Sequence, residues 1–119
     1  MTLLTDARHY VLGRMPAVDG VTLYPGPVST PVPPCYVIAP GADWVAVRTS
    51  TAYTVQVTVH ALVAVTARPG DALARLEDMT EQVLLAFPEA RQVAAPEVDD
   101  MGALTTLHAM TTIPVLVTP

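Results

Sequence analysis

The sequence predicts an α+β fold: a mixed or antiparallel sheet with long strands, covered on one face by an N-terminal helix and one main helix. Three observations predict it. From Tyr53 to Val65 every second residue is apolar (Tyr53, Val55, Val57, Val59, Ala61, Val63, Val65), the period of a strand with one face on a core. After the break at Pro69-Gly70-Asp71, apolar residues recur at three- and four-residue intervals through Phe87, the stripe of an amphipathic helix. A second long alternation, Leu107, Ala109, Thr111, Ile113, Val115 and Val117, runs inside Leu104–Thr118. Strands in runs with few helices place the helices on one side of a sheet.

Each element has a local reason. Thr2 or Thr5 can cap a first helix reaching about Met15, with Leu3, Leu4, Ala7, Tyr10, Val11 and Met15 on one side. Pro16 and Asp19-Gly20 end it, and Val21–Tyr24 reads as a short strand. Pro25, Pro27, Pro31, Pro33 and Pro34 deny ladder donors to the next stretch, so 25–34 is expected to be a long, semi-rigid loop. Cys35–Ala39 is a second strand, Pro40-Gly41-Ala42-Asp43 a turn, Trp44–Val47 a third strand and Ser50–Ala67 the long one. Asp71 is the expected N-cap of helix 72–87. Its stripe (Leu73, Leu76, Met79 or Thr80, Val83, Leu84, Phe87) would contribute on the order of 10 kcal/mol gross on burial, before conformational entropy is subtracted. Pro88 stops it. Val93–Met101, broken by Pro96, is a weaker strand forming a hairpin with Leu104–Thr118 across Met101-Gly102. Pro114 inside that last strand predicts an edge or a bulge. The opposite sheet face mixes Thr and Gln with Leu62, Ala64, Met110 and Leu116, a half-apolar surface that suits a subunit interface.

Composition bounds the function. The 119 residues form one domain, 1–119, and 51% hydrophobic residues exclude disorder. No apolar run is long enough for a spanning helix, so no membrane partner is expected. Asp6, Arg8 and His9 interrupt what a signal peptide would need as an apolar core, which predicts a cytosolic protein. The basic residues are six arginines with no lysine, and the net charge is −5, so sequence-independent binding to DNA phosphates is not expected. Cys35, the single cysteine, excludes an internal disulfide and reads as a half-buried apolar residue.

No set of residues carries chemistry. His60 and His108 lie on the less apolar face of long strands and would approach each other if those strands were neighbours, but the spacing supplies no third or fourth metal ligand. Glu77, Asp78 and Glu81 form a solvated helix face, and Asp99-Asp100 reads as a turn. There is no G-x-S-x-G elbow, Walker loop or G-x-G-x-x-G, so no catalytic, cofactor or metal residue is assigned.

The succession of elements resembles the tail terminator (tail completion) proteins of long-tailed bacteriophages. The resemblance rests on the helix ending at Met15-Pro16, Val21-Thr22-Leu23-Tyr24-Pro25-Gly26, the Pro-rich loop to Pro33-Pro34-Cys35-Tyr36-Val37-Ile38, and Pro40-Gly41-Ala42-Asp43-Trp44. The long Thr/Val strand, the helix from Asp71 and the last alternating strand complete it, over nearly the whole chain. It implies a non-enzymatic virion protein of the tail and neck, assembled in the host cytoplasm. Copies would close as a ring, six by family likeness, on the tail tube protein, stop its polymerisation and meet the head–tail connector or stopper protein. Six copies would total about −30, a field that discourages DNA passing through the lumen from sticking. Pro25–Pro34 (through Pro25, Pro27, Pro31, Pro33 and Pro34), Asp43, Trp44 and Arg48 are the expected subunit or partner contacts, with Arg48 placed to meet an acid on the next subunit. A head-completion or stopper protein is the alternative within the same class. A small cytosolic enzyme or ligand-binding domain is the alternative from another class, and would need a pocket with converging polar groups.

Overall fold

The computed structural model describes residues 2–49, 51–65, 68–101 and 104–118. Its order is α1 (Leu3–Arg14), β1 (Thr22–Tyr24), β2 (Cys35–Thr49), β3 (Ala52–Ala64), α2 (Pro69–Ala86), β4 (Gln92–Val93), β5 (Glu97–Met101) and β6 (Leu104–Val117). The strands form one sheet ordered β1-β2-β3-β6-β4, with β5 also on β6. β1 runs parallel to β2, and every other pair is antiparallel, so the sheet is mixed as expected. The molecule is elongated, 52 × 27 × 23 Å.

Register decides which residues share a face. Val55, Val57, Val59, Ala61 and Val63 of β3 stand opposite Val115, Ile113, Thr111, Ala109 and Leu107 of β6. This inner face carries both helices. Ala7 and Val11 of α1, together with Ala72, Leu76, Met79 and Val83 of α2 and Phe87 just beyond it, close one core with it. Tyr36 reaches from β2 through this core to donate its hydroxyl to the Met79 carbonyl at 2.7 Å. Burial, with Asp78 adding to it, pushes its phenol up to about 12. The outer face holds Thr54, Gln56, Thr58, His60 and Leu62 of β3 against Leu116, Pro114, Thr112, Met110 and His108 of β6.

Several expectations are corrected. Pro40–Asp43 is not a turn between two strands; Cys35–Thr49 is one strand with an irregularity at which 41–44 stand opposite Gln56 alone. Gly41 permits it, because a Cβ there would sit 2.8 Å from Gln56 Cβ. α2 begins at Pro69 with Arg68 at the N-cap, so Asp71 is a first-turn acid facing the helix N-terminus rather than the cap. Of the two threonines expected to cap α1, Thr2 does so: its Oγ1 accepts the Thr5 N–H at 3.1 Å. The predicted strand 93–101 is two pieces, β4 and β5, separated around Pro96. Asp99 and Asp100 therefore lie in a strand and not in a turn. Ser50, Thr66, Ala67 and Gly102, which bound other expected elements, lie outside the described residues.

The expectation at Pro114 has a structural answer. Met110 and Thr112 present their carbonyls to Ala94 and Arg91 on the β4 side. Residue 114, two further along, points the same way, past the end of β4. The missing N–H therefore falls on the open edge of β6, and the pairing with β3 is intact there.

Candidate assembly surface

The described residues hold no group of three or more His, Cys, Asp or Glu placed to bind a metal, and no helix long and apolar enough to cross a membrane. What the surface does offer is apolar area at one end of the sheet. Val45 and Val47 belong to the inner face, opposite Val55 and Tyr53, yet are 41% and 71% exposed, so the helices do not cover this end. On the outer face of the same end Leu116 is 67% exposed. Leu116 and Ala46 both stand opposite Thr54, whose hydroxyl accepts from Arg48 Nε at 3.0 Å. That bond carries the Arg48 side chain over the outer face to Thr54, the strand neighbour of Leu116. The two strand edges here carry proline, Pro40 in β2 and Pro114 in β6, which disfavours edge-to-edge strand pairing.

The sequence-derived contact residues are divided among three places. Pro27 and Trp44 meet at a cleft of about 270 Å³ between α1 and the β2 irregularity, with Leu4 and Arg8 opposite. Asp43 is exposed beside it. Pro25 is exposed, while Pro31, Pro33 and Pro34 are half-buried against their own chain, so only part of the loop faces outward. Pro34 lies near Asp71 and Arg75 at the base of α2. The loop is pinned at Tyr24, whose hydroxyl accepts the Val32 N–H at 3.2 Å. Arg48 stands apart from all of these, at the sheet end.

The periodicity of α2 places its whole stripe in the core, and the structure divides it. Leu76, Met79 and Val83 are buried, whereas Leu73 and Leu84 are each 41% exposed. They line a groove of about 400 Å³ between α2 and the β4 segment, with Val93 across from them and Glu77 and Glu81 on the rim. The two-sided apolar spacing of α2 was the available signal: Leu73 and Leu84 sit at the margin of the stripe.

The outer face also carries a polar chain. Asp99 Oδ2 lies 3.0 Å from His108 Nδ1, His108 Nε2 lies 2.6 Å from His60 Nδ1, and His60 Nε2 lies 3.0 Å from Thr58 Oγ1. Thr58 reaches the Ala39 carbonyl at 3.0 Å. The imidazole planes are 23° apart with centroids 4.9 Å apart, so the rings meet edge to edge through their nitrogens. Four contacts need four hydrogens, and neutral Thr58, His60 and His108 supply three. In the neutral state one of the four contacts therefore lacks a hydrogen. Burial, and then the neighbouring His108, hold His60 below the usual histidine range. The chain ties β5, β6, β3 and β2 together. Thr58 is 2% exposed, so its hydroxyl is not presented to a substrate. Cys35 is fully buried, more deeply than expected, and burial pushes its thiol up to about 11.

No protein-family model matches the chain, and no curated protein matches it.

Proposed function

We propose that this protein is a structural subunit of a bacteriophage neck: copies close as a ring, six by family likeness, on the head-proximal end of the tail tube, end its polymerisation and form the surface that the head connector meets. The observation that carries this reading is the sheet end, where one elongated chain exposes separate apolar patches on opposite faces, Val45 with Val47 and Leu116. A ring is a heterologous assembly and needs two unlike patches on each subunit. The resemblance in element order and short motifs supplies the biological setting. The deeply buried Thr58 hydroxyl and the raised Cys35 thiol favour a non-catalytic role over the enzyme alternative.

Electron microscopy of the protein mixed with its tail tubes tests the proposal. Rings on one end of tubes whose growth has stopped are expected. Tubes that remain uncapped and keep growing would refute it. Binding to the portal side alone would transfer the chain to the stopper proteins.

A further inference from the structure

Two surface features are unlike in shape and opposite in charge. One is the knob at the sheet end, where exposed Leu116 and Arg48 stand on the outer face on the two strands that flank Thr54. The stretch from Trp44 to Val55 holds Arg48 and no acid. Among the described residues Arg48 makes no ion pair. The other is the groove on the inner-face side, where half-exposed Leu73, Leu84 and Val93 stand around buried Leu76 and Ala109, with exposed Glu77 and Glu81 on the rim. α2 carries four acids, Asp71, Glu77, Asp78 and Glu81, against one arginine, Arg75. Neither rim glutamate has an ion-pair partner among the described residues.

Within one chain the knob cannot fill the groove. Val93 pairs with Thr111, five positions from Leu116 along β6, a separation of roughly 16 Å at strand rise. The two features also lie on opposite faces of the same sheet, since Leu116 is on the outer face and the groove is walled by α2 on the inner one. The groove is open in the single chain, and the sheet end of a second copy supplies a matching surface.

We propose that the Leu116–Arg48 knob of one copy docks in the α2–β4 groove of the next, Leu116 on Leu73, Leu84 and Val93 and Arg48 on Glu77 or Glu81. This rests on the ring reading above and specifies its subunit contact. The contact is head to tail: each copy offers a knob on one face and a groove on the other, so association propagates around an axis. Burying Leu116 and three half-exposed apolar residues supplies the attraction, and the arginine on an acidic rim fixes orientation.

Sedimentation velocity on the full chain separates the outcomes, with circular dichroism confirming that each variant is folded. Leu116→Asp and Leu84→Asp change exposed positions. Each alone is expected to weaken self-association at least tenfold. Mixed in equal amounts they are expected to form one-to-one dimers and nothing larger, because one intact knob still meets one intact groove. Arg48→Glu is expected to weaken association likewise, and Glu81→Arg in the same chain to restore it. Variants that associate as tightly as the unmodified chain, a mixture that stays monomeric, or an unmodified chain that is monomeric at every concentration would each overturn the contact. The ring reading is judged separately: if the unmodified protein caps tubes while these variants cap them equally well, the contact fails and the ring stands.

Discussion

His60→Gln isolates one titrating group in the outer-face chain. In the folded protein burial, and then His108, lower the His60 pKa. In the unfolded chain a histidine titrates near 6.5. The sign follows from which state binds the proton first. Above about pH 6.5 both states are neutral at this residue, and it contributes no pH dependence. As pH falls through that value the unfolded chain takes up the proton before the folded one does, so stability declines toward acid until the folded pKa is reached. One proton sets a ceiling of about 1.4 kcal/mol per pH unit on that slope. Glutamine keeps polar atoms near Thr58 and His108 but cannot become charged in this range. Its baseline stability will drop, because one amide cannot span both neighbours as the imidazole does, so slopes are compared and not midpoints. The assay is urea unfolding at several values between about pH 5 and 8, the range in which histidine changes charge. The unmodified protein is expected to lose stability toward acid more steeply than the variant, the difference appearing below about pH 6.5. Identical slopes, or a shallower one in the unmodified protein, would refute the assignment of His60 as a residue held neutral by its burial.

Packing elsewhere in the chain sets further outcomes. Gly41→Ala puts a Cβ 2.8 Å from Gln56 Cβ and 3.2 Å from its carbonyl oxygen, atoms close to the backbone that cannot swing away; a loss of about 1–3 kcal/mol is expected in urea melts. Cys35 should resist iodoacetamide in the folded state and react quickly in denaturant, because its thiol is fully buried and shifted to about 11. Arg14 donates to Glu89 Oε1 at 3.2 Å and to the Ala86 carbonyl at 3.0 Å, and its guanidinium lies 5.3 Å from the Phe87 ring centre, tying α1 to the end of α2. Arg14→Ala should lower stability by about 1 kcal/mol, the partial exposure of the pair keeping the effect small, and thermal melts should show it.

The parts of this protein that could be read along the chain are those governed by local periodicity. Alternation at 53–65 and 107–117 specifies long strands and says which side chains share a face. The α2 stripe specifies a helix on a sheet, and Pro25–Pro34 specify a segment without ladder bonds. The parts that required the folded chain are those made by pairing between distant strands. His60 and His108 are 48 positions apart, and they meet because β6 lies beside β3 in a register that puts both on the outer face. A one-residue slip would send His108 to the helices and dissolve the chain to Asp99. The union of 35–39 and 44–47 into one strand likewise depends on Gln56 of the neighbouring strand, which no spacing within 35–49 encodes. Leu73 and Leu84 sit at the margin of the α2 stripe, and that they are left 41% exposed along a groove with Val93 across from them is decided by the packing of α2 on the sheet. Side-chain period is a property of one segment, whereas register, coverage and open edges belong to pairs of segments, and for that reason the candidate assembly surface became visible only in three dimensions.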